Sequence, residues 1–298
     1  MITYITASSL TKFLACQRAY YYRYELGLLP IQTTEALSFG RAYHACLEAK
    51  NKGSSLEDSL KAGLVLLADD EFQQATLIGL FSGYYARYPE TGLQIQPEMR
   101  FVQKITWLNG FRSAGVIDGL IRKNEDSWIL KEYKTTGASV APDSEYWDRL
   151  RFNIQLMTYM LALKNVGYNV DEISYDVTRK PAIRPKQNET AEQFADRLKA
   201  DTLERPDFYF ARRSVTVLDD DLEAFVKMRY EICQQIRFLR KRAKACSGCA
   251  AAWVRNCNQT TCQSCEFKNF CLAGQVASPS EIPTGFEIGN KHPELQLK

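Results

Sequence analysis

The sequence predicts a mixed α/β domain in which a central sheet is flanked by helices. Three observations predict it. Apolar residues recur at helical spacing over most of the first 90 residues, a two-residue alternation takes over beyond Gly92, and helical and extended segments then interleave up to a terminal run of cysteines. At 298 residues the chain is long enough for one large domain, and 45% hydrophobic with 24% charged residues is ordinary for a globular protein. No apolar run approaches the ~20 residues that cross a bilayer. The opening MITYITASSLTKF lacks the charged and apolar blocks of a secretion signal, so a cytoplasmic, reducing setting is expected. These features weigh against a membrane span and a disulfide scaffold. The formal net charge of +3 neither demands nor opposes a nucleic-acid partner.

Taken in order, Ser8 or Ser9 caps a helix through Tyr24, with Leu10, Phe13, Leu14, Gln17 and Tyr21 at helical spacing and Pro30 ending the segment. A second helix spans Glu35 to Lys50 and stops at Gly53; residues 55–88 hold one or two more. Residues 93–106, 112–122 and 127–134 alternate as strands, the last two joined by the polar turn Lys123-Asn124-Glu125-Asp126. Helical spacing returns over 143–165 through Leu150, Ile154, Met157 and Leu161. A strand follows at 171–178, then a loop with a short helix over 179–206, a strand at 208–217, and a helix at 219–244 that ends in a basic cluster from Arg237 to Lys244. The expected organisation is a single domain over 1–273: a helical region over residues 1–90, a catalytic core 91–180, an extension 181–245 and a Cys-rich segment 246–273. Residues 274–298 form a loosely held tail.

The strongest local signal is Asp118 in GVIDG together with Glu132 and Lys134 in LKEYKTTG. Strand side chains alternate faces, so Glu132 and Lys134 point the same way. A hairpin centred near Glu125 sets position 118 opposite 132, which brings two carboxylates side by side with a lysine one step along. Two such carboxylates repel unless a cation joins them. A hard divalent ion such as Mg²⁺ takes one or two carboxylates plus water and phosphate oxygens. The lysine then orients or deprotonates the attacking water, or neutralises charge growing on the phosphate. A surface hairpin with an exposed ion pair is the plain alternative.

His44, in Gly40-Arg41-Ala42-Tyr43-His44, sits on an otherwise apolar helical stretch, and Gln155 and Tyr159 share a helix face at i, i+4. GRAYH, VIDG, KEYKTTG and QLMTY, in that order, resemble the motif series of the PD-(D/E)XK nuclease superfamily. They are most similar to its RecB-type branch, which includes AddB-like nucleases and CRISPR-associated exonucleases. The opening SSLTKFLACQRAYYYRYELGL is similar to that branch's start, where a cysteine precedes a basic-aromatic helix; the likeness runs from about Ser8 to Cys271 and is loosest over 180–245.

The resemblance implies a restriction-endonuclease-like fold, a mixed central sheet flanked by helices. It implies His44 as a metal ligand, Asp118 and Glu132 as carboxylate ligands, the Tyr133 backbone carbonyl as a further ligand, and Lys134 as the catalytic lysine. Gln155 and Tyr159 are implied beside the active site, steadying Lys134 or touching the DNA backbone, with Glu98 as a supporting carboxylate. The implied activity is a Mg²⁺- or Mn²⁺-dependent deoxyribonuclease, an exonuclease on ends or single strands, serving DNA recombination, repair, replication or CRISPR adaptation. The competing readings are a catalytically inactive DNA-binding or scaffold subunit with the same fold, and a zinc-ribbon nucleic-acid binder.

Seven of the nine cysteines follow residue 230, and clustered cysteines in a reducing compartment point to metal. Cys246-x2-Cys249 and Cys262-x2-Cys265, twelve residues apart, have zinc-ribbon spacing. The RecB-type resemblance implies instead that Cys16 joins Cys262, Cys265 and Cys271 around a [4Fe–4S] cluster that staples the chain ends. That reading leaves Cys246, Cys249 and Cys257 as alternative ligands, a second zinc site or plain residues, and Cys46 and Cys233 as small core residues. Candidate DNA contacts are Arg149, Arg151, Arg179, Lys180, Arg212, Arg213 and the 237–244 cluster, with Tyr20 to Tyr24 and Tyr209 either stacking on bases or packed inside.

Overall fold

The computed structural model describes residues 2–31, 35–67, 70–89, 95–148, 150–245, 250–275, 277–278 and 280–295. The chain starts with a short strand, β1 (Thr3–Ile5), before helix α1 (Ala7–Ala15). The cap of α1 is Thr6, not Ser8 or Ser9. Its hydroxyl accepts from the Ser9 N–H at 3.1 Å while the Ser9 hydroxyl accepts from the Thr6 N–H at 2.9 Å, a reciprocal pair that neither serine could make as the cap itself. Nor does one helix run to Tyr24. The backbone at Cys16 turns extended (φ −165°, ψ 115°), then α2 (Gln17–Tyr20) widens into a π-helical turn over Tyr21–Leu26. Tertiary contacts impose this break: the Arg18 N–H donates to the Val254 carbonyl at 3.0 Å and its Nε to the Trp253 carbonyl at 2.9 Å.

Gly27, in the left-handed region at φ +80°, terminates that segment, and a Cβ there would lie 3.0 Å from the Gly289 carbonyl oxygen. Pro30 instead ends strand β2 (Leu28–Pro30), which pairs antiparallel with β8 (Phe286–Ile288). The described residues of the tail are therefore not loosely held. His292 lies against the rings of Tyr4 and Tyr24 at 6.0 and 5.1 Å, and Lys291 Nζ donates to the Glu25 carbonyl. The first 90 residues are likewise not purely helical, since they carry β1 and β2.

Helices α3 (Glu35–Asn51), α4 (Leu56–Leu64) and α5 (Glu71–Arg87) precede three consecutive antiparallel strands, β3 (Ile95–Lys104), β4 (Phe111–Arg122) and β5 (Trp128–Thr136). Helix α6 spans Ile154–Asn165, about half of the 143–165 stretch, because the Asn153 side chain accepts from the Gln155 and Leu156 N–H groups and fixes the start there. Strand β6 (Val170–Arg179) returns parallel to β5, as a crossover through a helix permits. Helices α7 (Ala191–Glu204) and α8 (Pro206–Tyr209) lead to β7 (Phe210–Val215), antiparallel to β6, and to the long α9 (Asp219–Ala245). The short helices α10 (Gln259–Gln263) and α11 (Lys268–Leu272) carry the last cysteines.

Among the described residues the main sheet has six strands, and its layout matters for the site. Strand β3 occupies one edge of β4 throughout. The other edge is shared: β1 pairs with Phe111–Ser113, and β5 pairs from Gly119 to Arg122. Residues 114–118 thus have no ladder partner on that edge, and the gap ends at Asp118. Helices α1, α6 and α9 cover one face, where Leu10, Leu156 and Ile236 meet Leu120, Leu130 and Tyr175. Helices α3 and α5 cover the other, where Tyr43, Phe81 and Tyr84 meet Tyr133. This is a mixed α/β fold with a helix-flanked central sheet, as expected from the sequence. No helix among the described residues is long and apolar enough to cross a membrane.

Candidate active site

Asp118 sits where the β4–β5 ladder stops. The last paired residues are Gly119 and Lys131, so Asp118 and Glu132 are the next couple along, the register that a hairpin centred near Glu125 requires. Strand alternation breaks here. Phe111 and Ile117, at odd positions, face the same core as Leu120, at an even one, so the inward set shifts across Asp118-Gly119. Glu98, directly across on β3 in the pairing of Pro97 with Gly119 and Met99 with Ile117, has a left-handed backbone at φ +45°. The irregularity lets the Asp118 side chain bend over to β5, where Oδ2 accepts from the Tyr133 N–H at 2.9 Å.

Glu132 is fully buried, and neither of its carboxylate oxygens has a hydrogen-bond partner. The Lys134 ammonium makes an ionic contact with Oε1. Burial pushes the Glu132 carboxyl up to about 8; the Lys134 charge pulls it down and the Asp118 charge pushes it up again. For Lys134, burial pushes downward, but the Glu132 and Asp118 charges outweigh it and hold the ammonium above its ordinary value. Lys134 Nζ donates to Gln155 Oε1 at 2.7 Å, and Gln155 Nε2 donates to the Tyr159 hydroxyl at 2.9 Å. The i, i+4 spacing on α6 is what lines up that relay. His44 reaches in from α3, with Nδ1 3.8 Å from Asp118 Oδ1. The structure therefore links His44, Asp118, Tyr133, Glu132, Lys134, Gln155 and Tyr159 into one continuous cluster. Two neighbours were not legible in the sequence: Tyr175 sits beside Glu132 in the β5–β6 register, and its hydroxyl bonds that of Tyr146. The parallel pairing brings in Tyr175, and Tyr175 brings in Tyr146.

A divalent cation fits the donor set. The buried Glu132 carboxyl has the Lys134 ammonium as its close charged neighbour and Asp118 beside it, and such oxygen donors suit a hard ion. In a strand the N–H and C=O of one residue leave on the same side, so the Tyr133 carbonyl faces the Asp118 edge along with its N–H. Among the described residues no three His, Cys, Asp or Glu side chains converge closely enough to close on an ion as they stand; the Lys134 ammonium is the positive group now against Glu132. A pH dependence follows. Because folding raises the Glu132 carboxyl from its ordinary 4.5 to about 8, the folded state holds a proton that the unfolded state has lost. In EDTA, the melting temperature is expected to fall as pH rises from about 4.5 to about 8 through this group. Saturating Mg²⁺, which needs the ionised form, should flatten that slope. An EDTA profile that does not fall over the window would show that Glu132 is ionised in the metal-free protein.

Four C-terminal cysteines share a cavity with Cys16, and as they stand no three of these thiols converge closely enough to close on an ion. Cys16, Cys262, Cys265 and Cys271, with Cys257, line one cavity of about 390 Å³. Cys16 Sγ accepts from the Asn256 N–H at 3.4 Å, and Cys262 Sγ donates to the Asn256 carbonyl at 3.5 Å. Burial pushes both the Cys265 and the Cys271 thiols up, and each also senses Cys16. Cys246 and Cys249, needed by the zinc-ribbon reading, lie outside the described residues. Cys46 and Cys233 are buried in the core, each thiol pushed up to about 12 by burial.

Most of the candidate DNA contacts turn out to be engaged in structure. Arg149 and the Arg151 side chain lie outside the described residues. Arg212 Nε donates to Asp176 at 2.6 Å, Arg240 grips Glu25 through Nε and NH2, and Arg213 lies over Trp147 at 4.4 Å. Arg179 stacks on Phe208 at 4.1 Å and Lys180 lies 5.2 Å from Phe39. Tyr20, Tyr21, Tyr22 and Tyr24 are buried, the first two stacked on Trp253, and the buried Tyr209 bonds Asp201. The tyrosines are packed aromatics, the commoner case.

No curated protein matches the chain. Solved structures with similar outlines include SSO0001, at 13% identity and TM-score 0.41, covering 91% of this chain and 86% of that one. A protein from Eubacterium rectale provisionally named an exonuclease gives 12% identity and TM-score 0.47, covering 92% and 89%. The alkaline exonuclease LHK-Exo from Laribacter hongkongensis gives 12% identity and TM-score 0.27, covering 72% of this chain and 99% of that one. The sequence profile of the PD-(D/E)XK nuclease superfamily, whose members use divalent metals, matches residues 4–272. By that match, which takes in the Asp118–Glu132–Lys134 cluster and both ends of the sheet, the chain belongs to the PD-(D/E)XK nuclease superfamily.

Proposed function

We propose that this protein is a divalent-metal-dependent deoxyribonuclease acting on DNA ends or single strands, an exonuclease of the RecB type. The observation that carries the reading is Glu132, a fully buried carboxyl group that faces Asp118 in the hairpin register and touches the Lys134 ammonium. Asp118, Glu132, His44 and the Tyr133 carbonyl would hold Mg²⁺ or Mn²⁺. The ion, when bound, supplies a Lewis acid for the scissile phosphate and a more acidic water. Lys134, kept in position by Gln155, offers an ammonium to the attacking water and to charge growing on the phosphate. Tyr159 steadies Gln155 in turn. The exonuclease assignment and a role in recombination, repair, replication or CRISPR adaptation rest on the resemblance of GRAYH, VIDG, KEYKTTG and QLMTY to the RecB-type branch.

Digestion of end-labelled single- and double-stranded DNA, beside a closed single-stranded circle, tests this. Linear substrates should be shortened with Mg²⁺ or Mn²⁺ and untouched in EDTA, and the circle should survive. A folded protein that cuts nothing with either metal would be the inactive scaffold instead.

For the cysteines, we infer that Cys16, Cys262, Cys265 and Cys271 hold a [4Fe–4S] cluster. Four thiols from the two chain ends lining one cavity support it over a zinc ribbon, which has no use for Cys16.

A further inference from the structure

The turn between β3 and β4 carries a feature that the catalytic cluster does not use. Trp107 stands at its tip, 89% exposed, with a left-handed backbone at φ +66°. That conformation is costly for a bulky side chain, and here no burial offsets the cost. The support beneath it is firmly held. Ile105 and Leu108, on either side, are buried, and the Leu108 N–H donates to the Ile105 carbonyl at 3.1 Å. Helix α9 and strand β1 pin the far side of the turn, where Arg237 donates to the Asn109 carbonyl at 2.9 Å and the Thr3 N–H to the Gly110 carbonyl at 2.8 Å. The indole is therefore held out into solvent on a fixed mount, which lowers the entropy lost when a ligand packs on it.

The charges around this turn have one sign. Lys104 and Arg112 sit directly opposite each other on β3 and β4, a like-charge pair that strand pairing disfavours. Arg112 donates to the Phe111 carbonyl, and Arg237 to the Asn109 carbonyl and the Gln234 side chain, all neutral acceptors. Lys241 follows Arg237 by one turn on the same side of α9 and, like Lys104, is exposed. Among the described residues none of these cations has a carboxylate partner, whereas Arg240 is paired with Glu25. A protein interface has an apolar core depleted in lysine; here one aromatic plane stands among cations. A single-stranded nucleic acid is the complement, with phosphates for the cations and an unstacked base for the indole. Duplex bases already stack on each other and leave no face free. Phe111, where β4 leaves the turn, lies roughly 23 Å along the strand from Asp118, on the scale of a single-strand site of several nucleotides.

We propose that the Trp107 turn binds single-stranded DNA, stacking the indole on an unpaired base while Lys104, Arg112, Arg237 and Lys241 meet the phosphates. The choice of DNA rests on the nuclease reading. The test uses the full chain in EDTA, so that nothing is cut, with a thymidine oligomer of about 20 nucleotides. Of the four tryptophans only Trp107 is exposed. Its emission should be quenched saturably as the oligomer is added, and a blunt duplex should leave it unchanged. By fluorescence anisotropy of a labelled oligomer, Trp107→Gly should bind about tenfold more weakly. It should melt no lower, since glycine suits the left-handed backbone. Lys104→Gln and Lys241→Gln should each shallow the fall of log affinity with log salt by about 0.7. Glu132→Gln should keep the quenching. The proposal is overturned by no quenching with the single strand, by equal quenching with the duplex, by unchanged affinity in Trp107→Gly, by unchanged salt slopes in both lysine variants, or by quenching lost in Glu132→Gln. Self-association that Trp107→Gly abolishes, without any response to DNA, would make the turn a protein interface instead. Quenching without cleavage in Mg²⁺ or Mn²⁺ would keep this proposal and remove the nuclease reading; cleavage without quenching would do the reverse.

Discussion

Glu132→Gln is expected to lose DNA cleavage by at least about a thousandfold and yet, in EDTA, to melt no lower than the unsubstituted protein. The two halves of this result have one cause. A fully buried carboxylate with a second carboxylate beside it destabilises the metal-free fold, and burial already drives Glu132 toward its protonated form. Glutamine keeps the shape and removes the charge, so the fold gains or holds while the ion loses a ligand. Mg²⁺, which should raise the melting temperature of the unsubstituted protein, should do so much less in the variant. Lys134→Met separates the roles. It should also abolish cleavage, but it leaves Glu132 without its ammonium neighbour, so Mg²⁺ should still stabilise the protein strongly. Scanning calorimetry with and without Mg²⁺, beside a cleavage assay on the same samples, measures all of this. Near-normal cleavage by Glu132→Gln would mean that the catalytic cluster lies elsewhere; a collapse of its fold in EDTA would mean that Glu132 serves structure.

The second large effect concerns the chain ends. Protein purified without oxygen is expected to be brown, with broad absorption near ~400 nm and about four irons per chain. Cys16→Ser should lose the iron and melt far lower, because it opens the link between an N-terminal cysteine and three others roughly 250 residues away. In the chain-entropy account, closing so long a loop is worth about 5 kcal/mol. Cys233→Ser is the control: its thiol is buried among α9 core residues away from the cavity, so the colour should persist. A colourless protein with stoichiometric zinc would remove the iron–sulfur assignment and turn attention to Cys246 and Cys249. It would leave the nuclease proposal untouched.

The two faces of the sheet also divide the chemistry. One carries Asp118 and Glu132 with the Lys134 ammonium against Glu132, the other carries cations gathered about Asp176, and β5 supplies groups to both through alternate residues. The hydrogen bond from the Tyr133 N–H to Asp118, with the Tyr133 ring packed on the opposite face, is the direct physical connection.

Much of this was legible in the sequence. Alternation and a polar turn suffice to pair 118 with 132, because a hairpin register follows from counting outward from its turn. The i, i+4 spacing of Gln155 and Tyr159 likewise fixes a shared face whatever surrounds it. By itself, then, the sequence determined the helix-flanked mixed sheet, the hairpin register and the residue types gathered at its end. Tertiary structure alone decided the rest. The break at Cys16 exists because Arg18 bonds Trp253 and Val254; β1, β2 and β8 exist because distant strands offer them hydrogen bonds; and Tyr175 comes to Glu132 only through parallel pairing. Local preference is written in neighbouring residues, whereas burial, ladder partners and buried charge depend on which remote segments arrive, and no short window of sequence contains that information.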